Sequence, residues 1–342
     1  MLPMSAPEIR QPNQIMIKSL ARAGLIDAPK HVQFEELAGG VSSDIWKVTT
    51  PDTVFCVKQA LPKLKVEADW FAPVERNEFE VSWYSVANQL MPGAAPEILM
   101  QDTSAMLFAM EYLDPSDHKL WKSELRDGRV DQTSAADAGR KLVGIHSGTV
   151  NNKTCAQLFP RTDIFHAIRL EPYLEATAQK HPDLKDVLFG LSQRTANTKL
   201  CMIHGDVSPK NILLGPGGVV FLDAECACIG DPAFDLAFCL NHFLLKCLWT
   251  PASTDAFLKA FSQMVGAYTP KIDWENPREF EARCASLLPG LFLARIDGKS
   301  PVEYVTDESQ KTKVRRTARD LLVNPKPQLI DIAEAWKEEL SK

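Results

Sequence analysis

The chain has 342 residues, 45% hydrophobic and 24% charged, a globular composition long enough for two modest domains or one two-lobed unit. Its formal net charge of −6, from 38 basic and 44 acidic side chains, supplies no basic field and argues against nucleic acid or an anionic membrane as a partner. Eight scattered cysteines are too few for a disulfide scaffold; Cys56, Cys201 and Cys239 fall in apolar runs, as thiols do in a reducing cytoplasm, and the pair Cys226 and Cys228 lacks a second pair at zinc-ligand spacing.

Residues 1–30 read as a helix or arm, with Ile15, Ile17, Leu20 and Leu25 loosely periodic and no continuous apolar core of an export signal. Three β-like runs follow at 32–38, 44–50 and 53–59, with Pro51 and Asp52 turning between the last two. A helix is expected to open at Pro73, with Phe79, Trp83, Val86 and Leu90 at helical spacing, and to end at the turn residues 92–96. Strands at 97–101 and 105–113 lead to residues 114–117, where the chain crosses from an N-terminal lobe (1–113) to a larger, mainly helical lobe (114–342). A helix is expected over 134–150. The most apolar run, 237–249, is interrupted by Asn241, His242 and Lys246 and is too short to span a bilayer, so it reads as a buried helix.

The chemistry concentrates between Cys201 and Ala237. An apolar strand enters a loop bearing Asp206 and, five residues on, Asn211; a hairpin turning at 215–218 then returns to Asp223. Phosphoryl transfer asks for one carboxylate to orient a hydroxyl and take its proton, and for hard oxygen ligands to hold magnesium. Asp206 suits the first role, and Asn211 with Asp223 the second. Lys58 stands mid-strand in VFCVKQA, its neighbours pointing to the other face, and could reach nucleotide phosphates. Gly39 and Gly40 suit either a phosphate-approaching hairpin or a plain turn.

The pattern HGDxxxxN followed by LDxE and GDPxxDLA resembles the aminoglycoside phosphotransferase and choline kinase family, with His204, Gly205, Asp206, Asn211, Asp223, Glu225, Gly230, Asp231, Pro232 and Asp235 in register. The resemblance implies an α+β, bilobal protein-kinase-like fold with a small antiparallel-sheet N-lobe. It further implies a cytoplasmic enzyme that uses ATP and Mg2+ to phosphorylate a hydroxyl of a small metabolite. Asp206 would be the base, Asn211 and Asp223 the magnesium ligands, and Lys58 the phosphate lysine, paired with Glu80 or, failing that, Glu78. Adenine would meet the backbone of residues 110–113, Glu111 and Leu113 included. Glu225 would reach a second metal or face solvent. His204 and Asp235 would brace the loop, and Asp231 would be a turn former or cap. Eukaryotic protein kinases carry Arg and Lys where this chain has Gly205 and Ser208, which favours a small acceptor.

The segment from Val57 to Glu80 also resembles methylthioribose kinases, which place arginines for substrate near the position of Arg295. Here Ala294 precedes Arg295 in place of a second arginine, so Arg295 is either a substrate ligand or part of a surface ion pair. Residues 114–342 balance 29 basic against 30 acidic side chains and advertise no acidic pocket for a polycation. A silent nucleotide-binding module and a kinase for protein hydroxyls remain the alternatives, and nothing in the sequence speaks to oligomeric state.

Overall fold

Five antiparallel strands organise the first third of the chain. A computed structural model describes residues 11–27, 31–37, 42–63 and 73–342. Strands β1 (Gln33–Glu36), β2 (Ser43–Thr49), β3 (Val54–Ala60), β4 (Ile98–Asp102) and β5 (Leu107–Glu111) lie in the order β1-β2-β3-β5-β4. The register sets Lys58 on β3 between Ile45 of β2 and Phe108 of β5. One face of this sheet carries helix α1 (Gln14–Arg22), opened by Asn13, whose side chain accepts from the Met16 amide at 2.9 Å. Met16 and Leu20 are buried there with Trp46, Val48, Phe55 and Val57. Each such apolar side chain contributes roughly 1.5–3 kcal/mol by leaving water. Of the expected stripe, Leu20 is buried and Ile17 and Leu25 pack against this cluster, whereas Ile15 is 58% exposed and Met16 takes the inward position beside it.

Helix α2 (Arg76–Leu90) packs on the other face and starts three residues later than Pro73 predicts. The cause is Arg76: its fully buried guanidinium donates to the carbonyls of Pro73 (2.8 Å) and Leu61 (2.7 Å) and to that of Ser42, holding residues 73–75 as a turn. Phe79, Glu80, Trp83 and Tyr84 face inward, whereas Leu90 is 36% exposed. The apolar side chains of α2 belong to the same continuous core as the C-terminal helices.

Strand β5 ends at Glu111, and the chain after it is mainly helical. Helix α3 (Trp121–Arg126) and helix α4 (Gln132–Thr149) come first, α4 being capped by Asp131. The helix Pro232–Trp249 is buried on every side, Asn241, His242 and Lys246 included. The structure therefore has the expected α+β arrangement of a small sheet lobe and a larger helical lobe. All eight cysteines are buried and unpaired. Among the described residues no helix is long and apolar enough to cross a membrane.

Candidate active site

The strand Cys201–Ile203 pairs antiparallel with Cys228–Gly230 and delivers the loop 204–211 to the mouth between the lobes. Asp235, in the first turn of Pro232–Trp249, holds that loop by accepting from the amides of His204 (2.7 Å) and Gly205 (2.8 Å). Gly205 has φ +76, and a Cβ there would lie 2.8 Å from Cys226 Cβ, so an arginine at this position is excluded by space as well as by backbone. The His204 ring is buried, with Nδ1 accepting from the Asp206 amide (3.1 Å) and Nε2 donating to Leu222 carbonyl (3.0 Å). Burial lowers its pKa, and those partners fix a neutral, bracing tautomer. Asp231 caps the following helix through the Ala233 amide (3.0 Å) and pairs with Arg283 (3.1 Å).

Asp206 is 3% exposed, and its two oxygens differ. Oδ2 forms an ion pair with Arg169 (2.6 Å) and accepts from Lys210 (2.8 Å) and Asn211 Nδ2 (2.7 Å). Oδ1 is buried and has no hydrogen-bond partner. Burial alone would raise the carboxyl pKa, but Arg169 and Lys210 outweigh it and hold the group below its usual value. Asp206 therefore stays ionised, with one oxygen fixed and the other without a protein donor. Asn211, with its amide nitrogen turned to Asp206, leaves Oδ1 facing Lys210 Nζ at 3.1 Å.

Lys58 joins this loop to the sheet. Its ammonium pairs with Glu80 Oε1 at 2.8 Å and also with Asp223 Oδ1. Two carboxylates outweigh the desolvation of Lys58 and keep it protonated. Asp223 is held at about 2, Lys58 and Lys210 outweighing its burial, and burial pushes Glu80 up to about 7 against the pull of Lys58. Glu80, and not Glu78, is the carboxylate in contact with Lys58. Asp223 adopts φ +62, an unusual conformation for a non-glycine residue. Its amide donates to the Tyr84 phenol (2.9 Å), which itself donates to Glu80 (2.8 Å).

Lys58, Glu80, Asn211 and Asp223 line a cleft of about 450 Å³ together with Glu111 and Leu113, so these six predicted residues share one cavity of a size that suits a nucleotide, and Asp206 lies outside its lining. Asn211 Oδ1 and the ionised Asp223 are hard oxygen donors and fit Mg2+, which takes one or two carboxylates and completes its shell with water and phosphate oxygens. Glu225 is turned to Arg76 at 3.1 Å, which ties the loop after Asp223 to the start of α2. Gly39 and Gly40 lie outside the described residues. Arg295 stands apart from the cleft, in a second, smaller cavity whose wall includes Lys210.

Arg169, Tyr84 and Lys210 were not foreseen. Arg169 comes from a π-helical segment, His166–Glu175, whose only sequence signal is Pro172 within a helix. Its Nε also donates to the Gly205 carbonyl at 2.8 Å. Tyr84 had a readable signal, standing four residues after Glu80 on one helix face.

The pattern of the phosphotransferase enzyme family matches residues 33–280. A methylthioribose kinase of Pectobacterium carotovorum is 24% identical over 243 residues, which are 63% of this chain and 60% of that relative's length. The chain thus spans less than two thirds of the curated relatives it matches. Among solved structures, a choline/ethanolamine kinase family protein from Mesorhizobium loti superposes with a TM-score of 0.53 at 14% identity, covering 96% of this chain and all of that one. An ethanolamine kinase of Plasmodium vivax gives 0.53 at 14%, covering 96% and 86%. These likenesses identify the bilobal kinase-like fold, and the match over residues 33–280 means that the chain belongs to the phosphotransferase enzyme family.

Proposed function

We propose that the protein is an ATP-dependent phosphotransferase that moves the γ-phosphoryl group to a hydroxyl of a small metabolite. One observation carries this reading: Asp206 is an ionised, buried carboxylate with Oδ2 anchored three times and Oδ1 unpartnered, the state required of a group that must accept a proton from a substrate hydroxyl. Lys58, fixed by Glu80, would hold the nucleotide phosphates, and the Glu111–Leu113 segment would take the adenine edge. The Glu111 amide already donates to the Glu97 carbonyl at 2.9 Å, so a donor to adenine would come from the residues after it. Asn211 and Asp223 would hold Mg2+, which supplies charge neutralisation at the phosphoryl oxygens. Glu225, held by Arg76, would set the loop rather than take a second metal. Family membership and the methylthioribose kinase relatives support a small acceptor, as does Gly205 in place of arginine.

Calorimetry with ATP, with and without magnesium, tests the nucleotide half of the proposal; no binding at millimolar Mg·ATP defeats it. An ADP-release screen of hydroxylated metabolites, with a casein-like protein as control, tests the acceptor half. Binding without turnover on any acceptor favours a silent module.

A further inference from the structure

Behind the catalytic loop lies a cavity of about 30 Å³, walled by Pro209 and Lys210, by the helices Pro232–Trp249 and Pro277–Asp297, and by residues 302–304. Lys210 also lines the nucleotide cleft, and its ammonium is 2.8 Å from Asp206 Oδ2, so this cavity adjoins the reacting centre. Its walls hold three buried polar atoms without partners: His242 Nε2, Arg295 Nε and Tyr304 Oη. Orphaned groups of this kind are costly in a folded protein and call for a ligand. His242 and Lys246 are four residues apart on one helix face, which aims both at the same space.

The charges are equally uncompensated. Lys122 pairs with Glu303 at 2.5 Å and Lys210 with Asp206. Among the described residues, neither Lys246 nor Arg295 has a carboxylate within ion-pair distance. Lys246 is 1% exposed, and its ammonium sits 4.5 Å from the Trp249 ring and 4.8 Å from the Tyr304 ring, themselves stacked at 4.2 Å. Burial, with Lys122 and Arg295 nearby, pushes Lys246 down to about 7 despite Glu303. Arg295 is fixed by Tyr173 Oη (3.0 Å) and by the carbonyl and hydroxyl of Ser300, all on Nη1.

We propose that the acceptor is a short hydroxy acid whose carboxylate enters this cavity, held by Lys246, Arg295, His242 and Tyr304, while its hydroxyl lies at Asp206 Oδ1. The inference rests on the phosphotransferase reading. The cavity is small, about 30 Å³, and a planar carboxylate demands less of it than a tetrahedral phosphate ester. A cationic acceptor is disfavoured by Arg295, which has no carboxylate partner among the described residues, and by Lys246 in its protonated form. In the reaction the hydroxyl oxygen bonds to the γ-phosphorus as the bond from that phosphorus to the β,γ-bridging oxygen breaks. ADP keeps that electron pair, and the hydroxyl proton passes to Asp206 Oδ1 and then to water.

The test compares matched acceptors with Mg·ATP: glycerate against glycerol, 3-hydroxybutyrate against 1,3-butanediol, and glycerol phosphate as a second anion. Saturation-transfer NMR of the same compounds is run alongside. The acids should bind, and at least one should be phosphorylated with kcat/KM roughly 10- to 100-fold above its neutral counterpart, the scale of a charge-assisted contact. Tyr304→Phe removes only an orphaned hydroxyl, so it should fold as stably as the parent and yet raise the acid KM without raising that of ATP. Lys246→Met should do the same more strongly. Failure to bind Mg·ATP overturns the phosphotransferase reading itself. If Mg·ATP binds but the carboxylates do not, or if neutral alcohols or glycerol phosphate are preferred, the hydroxy-acid proposal falls and the kinase reading stands. An acid KM unmoved in Tyr304→Phe and Lys246→Met also overturns it.

Discussion

The backbone amide of Asp223 donates to the phenol of Tyr84 at 2.9 Å, and this bond crosses from the C-terminal hairpin to α2. Tyr84 also donates to Glu80, so one hydroxyl sets both the left-handed backbone of the metal-ligand candidate and the carboxylate that orients Lys58. Burial keeps the phenol neutral and able to do both.

Tyr84→Phe should therefore lower kcat and raise the KM for ATP together, by about tenfold overall. It should also cost about 1–3 kcal/mol of stability, because the Asp223 amide and Glu80 each lose a buried partner. Steady-state kinetics and denaturant unfolding measure the two effects. A variant with normal ATP affinity would mean that the hydrogen bond supports only the fold.

Asp206 and Asp223 should separate on substitution. Asp206→Asn keeps shape but removes the proton acceptor, so kcat should fall by roughly 10²–10⁴ while ATP affinity barely moves. Asp223→Asn should weaken Mg·ATP binding itself, with partial rescue at higher magnesium. Equal loss of ATP binding in both variants would contradict the division of roles between base and metal ligand.

The spacing of Asp206, Asn211 and Asp223 was legible because a loop and a tight hairpin fix their positions over few residues. Lys58 was legible because a strand's alternation says which face a side chain takes. Arg169 was not, since it reaches Asp206 from a distant π-helical segment and no local pattern foretells where such a segment lands. Arg76 was hidden for a similar reason: its three carbonyl partners come from three separate segments. His242 and Lys246 carried a readable signal, polar residues four apart in a helix too apolar to be exposed. Reading them as interruptions missed that they share a face.

Asp102 ties α1 to the sheet by accepting from Ser19 (2.5 Å) and from Arg22. Hydrogen bonds from Ser104 and Ser19, helped by Arg22, hold its carboxyl at about 2. The folded value lies below the unfolded value of about 3.9, so this contribution is fully present above that pH and is lost as pH falls toward 2. Asp102→Asn should cost about 1 kcal/mol at pH 7 and flatten that part of the acid unfolding curve. Urea titrations between pH 2 and 7 measure it, and an unchanged acid limb would show that α1 is held by its apolar face alone.

Arg169 and Asp206 form a mostly buried ion pair at 2.6 Å, with side-chain exposures of 11% and 4%. Removing one partner of such a pair leaves an uncompensated charge, whereas removing both can be nearly neutral. Arg169→Leu should destabilise the protein by about 3–5 kcal/mol. It should also lower kcat, because Oδ2 loses an anchor and the carboxylate can rotate away from the acceptor. Adding Asp206→Asn to Arg169→Leu should recover much of the stability and none of the activity. Unfolding free energies for the two single variants and the double variant close the cycle. A double variant no more stable than Arg169→Leu would place the importance of Arg169 in its bond to the Gly205 carbonyl, and not in its charge.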